Sequence, residues 1–273
     1  MKGKLYNILA VLVFVAGLSL LLYPTISNYY TSYLHSRAIA LYADNVENLD
    51  QERNQSILEE ARQYNAQLSA LPSQFQRTEE MEQAYWQQLK DPASQVMAFV
   101  EIPSIGVTLP ILHGTSDEVL DKAVGHLEWT SLPVGGESSH CVVSGHRGLP
   151  SAKLFTDLDQ LAVGDYFMMH ILDETLTYEV DQIRIVEPNV TEDLLIQQGK
   201  DLCTLVTCTP YGINSHRMLV RGHRVDNLAQ AQQVRVTADA VIVEKLVVAP
   251  FVLVPILLLM LLWLLATTRK RKK

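Results

Sequence analysis

Three side chains in this 273-residue chain have the types and settings that acyl transfer requires. Cys208 ends the run T-L-V-T-C at 204–208, whose β-branched residues predict a strand. Arg217 follows nine residues later, beyond Pro210, Gly212 and Asn214, which supply turn chemistry. It opens a second stretch, to Val225, in which basic or polar residues alternate with apolar ones. A thiol at one strand's end beside a guanidinium at the start of the next suits an anion-stabilised acyl-transfer site. Such a site needs an acid or base, and His146, in S-G-H-R-G at 144–148, occupies a similar strand-to-loop setting.

Each residue type has a distinct part to play. The thiolate is the nucleophilic form, and only ~3% of an ordinary thiol is ionised at pH 7. His146 is the candidate acid/base, able to help form the thiolate or to protonate a leaving amine. Arg217 carries a permanent charge and would hold the substrate or a developing oxyanion, worth ~3 kcal/mol for a typical donor of that kind. Strand parity separates the neighbours. Residues five apart face opposite ways, so Cys203 should point away if Cys208 faces a cleft. Cys203 and Cys141 therefore read as free, buried thiols. Arg221 shares a face with Arg217 and is the runner-up arginine. His126, in A-V-G-H-L-E-W-T, is the runner-up histidine. No C-x-x-C or H-x-x-x-H spacing occurs, so no metal site is expected.

Together these pieces resemble the sortase family, and among its members the class C, pilin-polymerising sortases. T-L-V-T-C looks like the nucleophile motif T-L-x-T-C. His146 sits in S-G-H-R-G-L-P, and Arg217 in N-S-H-R-M-L-V-R-G-H-R. The likeness covers roughly residues 98–225 and, more loosely, the helical stretch before them. It implies an eight-stranded barrel and assigns Cys208, His146 and Arg217 as the catalytic residues.

The elements that must position those residues are legible as a change of period. Residues 98–225 show a period of two with frequent turns. Strands are expected at 98–102, 106–112, 140–144, 165–172, 175–186, 202–208 and 217–225, and helical interruptions near 117–123, 152–161 and 191–198. This is a mainly β fold, read as a closed, antiparallel-type barrel. Residues 31–69 instead show helical spacing. Leu34, Ala38, Leu41, Tyr42, Val46 and Leu49 form one stripe, and Ile57, Ala61, Tyr64 and Leu68 another. L-P-S-Q-F-Q at 71–76 breaks that pattern. Class C sortases commonly carry a lid here, with an Asp-Pro-aromatic motif. The tripeptide is missing at this point, and Asp91-Pro92-Ala93 has only its first two residues. Phe75 is the candidate for the anchoring part, and gating by a lid stays open.

Two apolar runs flank this body, at residues 5–23 and 246–266, each long enough to span ~30 Å of hydrocarbon. Lys2 and Lys4 precede the first, and five basic residues (269–273) follow the second. The positive-inside rule then places both termini in the cytoplasm and residues 25–245 outside the plasma membrane. The expected division is an anchor at 1–24, a helical spacer with a possible lid at 25–97, a catalytic barrel at 98–228, a juxtamembrane segment at 229–245 and a second span with its basic tail at 246–273. Of 22 basic residues 7 lie in the tips, leaving 15 against 30 acidic ones between them, a net charge of −15 that disfavours nucleic acid as a partner.

The resemblance implies the reaction. Cys208 attacks the Thr–Gly bond of an L-P-x-T-G-like sorting signal on a pilin or surface protein at a Gram-positive cell wall. A lysine amine of a second pilin resolves the thioacyl enzyme, leaving an isopeptide bond, and the implied reaction needs no cofactor. The alternatives are a housekeeping sortase that attaches proteins to peptidoglycan, a cysteine hydrolase, and a non-catalytic membrane assembly module.

Overall fold

In the computed structural model, residues 2–90 and 95–227 are described. The second apolar run and the tripeptide at 91–93 lie outside them. Two units divide the chain between Tyr30 and Thr31.

The first unit is the beginning of helix α1 (Lys2–Glu47). It is long and apolar enough to cross a membrane, and large side chains such as Leu12, Val13 and Leu20 are exposed along it. Pro24 lies inside α1 and does not end it, so the helix runs on past the expected end of the anchor at residue 24. A proline removes one backbone donor and crowds the preceding turn, which can bend a helix without stopping it.

In the second unit, the C-terminal part of α1 buries Ile39 and Tyr42 with Val96 and Phe99. The Tyr42 hydroxyl donates to the Met97 carbonyl (3.3 Å) and accepts from the Leu172 amide (2.7 Å). The buried stripe differs from the expected one, because Leu34, Leu41 and Leu49 stay exposed. Helix α2 (Gln51–Ser69) buries Leu58, Ala61, Tyr64 and Leu68, close to the expected stripe. From the same face, the Asn65 side chain bonds both backbone groups of Leu132, at 3.0 and 2.7 Å. The short helix α3 (Glu79–Tyr85) starts on Thr78, whose hydroxyl accepts from the Met81 amide.

Eight strands close the barrel: β1 (Ala98–Ile102), β2 (Val107–His113), β3 (Val124–His126), β4 (Ser139–Ser144), β5 (Tyr166–Ile171), β6 (Glu174–Val186), β7 (Asp201–Thr209) and β8 (His216–Val225). Their order around it is β1-β2-β3-β4-β7-β8-β6-β5. Seven of them match expected strands. The three-residue β3 is too short to carry a period of its own, and the chain runs through it inside the motif that holds His126. The barrel is mixed and not of antiparallel type, because β2 pairs with β3, and β4 with β7, in parallel. The long connection from β4 to β7, which contains β5 and β6, returns the chain in the same direction. The expected helical interruptions shrink to helix α4 (Asp117–Leu120) and single tight turns at Leu158–Gln160 and Glu192–Leu194.

Strand parity gives the sheet two apolar faces. Cys141 and Val143 of β4, Cys203 and Leu205 of β7, and Met218 and Val220 of β8 join the main core. Their alternates Val142, Val206 and Leu219 instead join a second cluster with Val186 and Leu194. Because the main core draws on every strand, with Val124 from the short β3, it fills the barrel, and the second cluster lies on its outer face.

Candidate active site

Two strand pairings bring the three candidate residues together. Cys208 and Arg217 are direct partners in the antiparallel β7–β8 ladder. In the parallel β4–β7 ladder, Ser144 is paired with Val206, an offset of 206 − 144 = 62. His146 and Cys208 have the same offset, 208 − 146 = 62, so the register carries the histidine level with the cysteine two residues beyond the last pair. The pairing continues past Ser144: the Gly145 amide donates to the Val206 carbonyl (3.0 Å), and the Thr207 hydroxyl donates to the Gly145 carbonyl (2.8 Å). The sequence separation of the two motifs is therefore the register of the sheet.

Parity places the three on the outer face, in line with Val142, Val206 and Leu219. All three are partly exposed, as a site for a macromolecular substrate requires. One Arg217 guanidinium nitrogen donates to the carbonyls of Asn214 (3.2 Å) and His216 (3.1 Å), which holds its stem in the β7–β8 turn. Asn214 reaches this geometry with φ +59°, a conformation that asparagine tolerates better than most residues. The arrangement offers a thiol, an imidazole and a fixed cation at one end of an apolar strip, the set that thioester chemistry on a peptide needs.

The walls beside this strip come from loops. Trp129, Leu127 and Val190 pack on the outer-face cluster. His140, on the same face of β4, is fully buried. Its Nδ1 lies 2.9 Å from the Leu195 carbonyl and its Nε2 2.7 Å from the Thr204 hydroxyl. A carbonyl only accepts, so Nδ1 carries the proton and Nε2 accepts from the threonine. Burial drives its pKa down to about 4 and keeps it neutral, as a tie between the β6–β7 connection and the floor.

The segment between α2 and α3 lies across these walls. Phe75 is 50% exposed and rests its ring against Trp129, with centroids 4.7 Å apart. Its neighbour Gln74 is buried and bonds both walls. The amide nitrogen donates to the carbonyls of Trp129 and Leu194 (3.3 Å each), and the Ile196 amide donates to its oxygen (2.8 Å). Arg77 adds a bond to the Glu128 carbonyl at 2.8 Å.

The runners-up fall elsewhere. His126 is fully buried, with Nδ1 3.1 Å from the Tyr85 hydroxyl and Nε2 2.9 Å from the Ser131 carbonyl, so it is a core histidine and not a cleft one. Arg221 is engaged by both oxygens of Asp181 at 2.9 Å. Cys141 and Cys203 are free, buried and register partners inside the barrel. Burial pushes the Cys203 thiol well above its ordinary range. Sequence reasoning missed Gln74 and Trp129, whose types carry no catalytic signal. It also passed over Arg147, although that residue stands inside the histidine motif.

Comparison with known proteins identifies the family and the fold. The sortase domain family matches residues 100–225. Sortase C1 of Streptococcus agalactiae is 49% identical, with a TM-score of 0.68, over 70% of this chain and 100% of that one. Sortase C-1 of Actinomyces oris is 45% identical, with a TM-score of 0.59, over 64% of this chain and 99% of that one. Sortase D of Bacillus subtilis is 32% identical over 139 residues, which are 50% of this chain and 67% of the relative. With the barrel, the strand order and these likenesses together, the chain belongs to the sortase family of cysteine transpeptidases, among its class C members.

Proposed function

We propose that this sortase polymerises pilins from the outer side of a plasma membrane in which α1 anchors it. Cys208 is the nucleophile. Its thiolate attacks the carbonyl carbon of the Thr–Gly bond in an L-P-x-T-G-like sorting signal. Arg217 stabilises the oxyanion. His146 gives a proton to the departing glycine amine, and a thioester to the threonine remains. A lysine amine of the next pilin then attacks that thioester, His146 takes its proton, and an isopeptide bond forms as the Cys208 thiolate leaves. The outer-face strip running from Val206 toward Val142 offers apolar surface for the signal's leucine and proline. The segment 71–77 lies over that strip as a lid, with Phe75 and Gln74 as its contacts. These assignments extend to the partners expected from the sequence: pilins or surface proteins with a sorting signal, and an acceptor lysine.

One observation carries this reading: the β4–β7 register and the β7–β8 register converge on His146, Cys208 and Arg217. The test is incubation of the full chain, in detergent micelles, with an L-P-x-T-G peptide and a lysine-bearing pilin fragment, followed by intact mass measurement. A peptide adduct on the wild type but not on Cys208→Ala, and its transfer to the lysine, is the expected result. Transfer only to water or to peptidoglycan stem peptides would overturn the pilin assignment while leaving the thioester chemistry in place.

A further inference from the structure

The backbone ladder joining β4 to β7 has its last bond at the Gly145 amide, yet His146 must stay level with Cys208. Arg147 stands where the ladder runs out. One of its terminal nitrogens reaches the Thr209 hydroxyl at 3.5 Å, and the other pairs with Asp159. Arg147 and Thr209 again differ by 209 − 147 = 62, the offset of the paired strands. Thr209 follows Cys208 within β7, so its side chain faces the opposite way, and Arg147 reaches it from the bend after β4. The arginine therefore grips the cysteine strand from behind, where Thr209 is buried, and leaves the front free for substrate.

A second contact points the same way. Gly148 has φ +77°, and a Cβ there would lie 3.0 Å from the Tyr211 ring, so the turn after Cys208 closes directly onto the loop after His146. The loop is also tied at its other side, where the Phe155 amide donates to the His146 carbonyl (3.1 Å) and the Gly148 amide to the Thr156 hydroxyl (3.2 Å).

The arrangement is a poor way to gain stability. The Arg147 side chain is only 10% exposed, its Asp159 partner is 43% exposed, and its Nε is buried without a partner. Desolvating a guanidinium costs free energy that one half-exposed carboxylate repays incompletely. What the planar fork does supply is direction, because two fixed nitrogens reach two elements at once.

We infer that Arg147, braced by Asp159, is a positioning residue that sets the spacing of His146 and Cys208 by extending the β4–β7 register through Thr209. This rests on the assignment of Cys208 and His146 above. Lysine keeps the charge but cannot hold both partners, so Arg147→Lys should fail almost as badly as Arg147→Gln.

The test uses the full chain in micelles, with the wild type and the variants Arg147→Lys, Arg147→Gln, Thr209→Val and His146→Ala. Rates of sorting-peptide cleavage are normalised to the number of Cys208 thiols titrated by iodoacetamide in the folded protein. We expect both Arg147 variants to lower kcat by about tenfold to a hundredfold with KM within about twofold, since a small misplacement of reacting groups costs that much. Thr209→Val should show a smaller loss of the same kind. The pH profile of Cys208 alkylation should also move from that of the wild type toward that of His146→Ala. Wild-type kcat in Arg147→Lys, a loss confined to KM, or a loss that vanishes on normalisation would each overturn the inference. Alkylation needs no peptide. If neither the wild type nor Gln74→Ala cleaves the peptide, the transpeptidase assignment fails, and the alkylation profiles still decide on Arg147: profiles coinciding with wild type overturn it, and displaced ones support it.

Discussion

Cys208 is partly exposed at a strand end, whereas Cys141 and Cys203 are enclosed in the barrel. Iodoacetamide should therefore modify the native chain once, at Cys208. A second adduct before unfolding, located by peptide mapping, would show that the barrel interior is open. Arg217 differs from an ordinary surface cation in that two turn carbonyls fix its guanidinium. Lysine lacks the planar fork, so Arg217→Lys should lower kcat by about 10²-fold, the cost of removing one oxyanion donor. The thioacyl intermediate should still be detectable by mass, because the nucleophile is untouched. If kcat stays within twofold of wild type, Arg217 is not that donor.

At the scale of elements, the segment 71–77 is held mainly by Gln74, not by Phe75. Gln74 makes three hydrogen bonds to two different loops, and half of Phe75 is in solvent. Each such bond contributes about 1 kcal/mol net, and the Ile196 amide would lose its partner in Gln74→Ala. That substitution should loosen the segment and speed adduct formation with a sorting peptide severalfold, with a smaller change from Phe75→Ala. An unchanged rate for Gln74→Ala, measured by rapid-quench mass spectrometry, would mean that the segment does not limit access. The absence of an Asp-Pro-aromatic motif at this place is consistent with a hold built on backbone contacts.

For the molecule as a whole, buried neutral histidines set a direction for acid stability. Burial lowers His140 to about 4, and His113 likewise to about 4 despite its bond to the Gln88 carbonyl. An unfolded histidine titrates near 6.5, so below that pH the unfolded chain binds more protons than the folded one. This contribution is complete above about pH 6.5 and is lost as the pH falls toward 4. For His140 alone it amounts to about 3 kcal/mol. Thermal unfolding between pH 7 and 4 should show a falling midpoint, with a shallower slope for His140→Gln, whose amide can replace both hydrogen bonds. Equal slopes would mean that His140 titrates normally in the folded state. The same histidine ties the β6–β7 connection to the floor beside Cys208, so acid loosens a wall of the site as it destabilises the barrel.

Much of this architecture was determined by the sequence alone. Alternation along β1, β4, β7 and β8 is a local property, and so is the apolar length of α1, so both could be read directly. Cys208, His146 and Arg217 could be singled out as candidates because each sits at a junction between a periodic stretch and turn residues. Parity also placed Cys203 on the other side from Cys208, as the two apolar clusters bear out. Strand order was not legible, since pairing β4 with β7 in parallel across the intervening β5 and β6 depends on closure of the whole barrel. Neither was β3, which is too short for periodicity, nor the exclusion of His126, which is covered by Tyr85, 41 residues away in the sequence. Gln74, His140 and Arg147 act through backbone carbonyls, hydroxyls and a carboxylate brought near by packing. Residue type and spacing hold no record of such partners, so only the tertiary structure decides them.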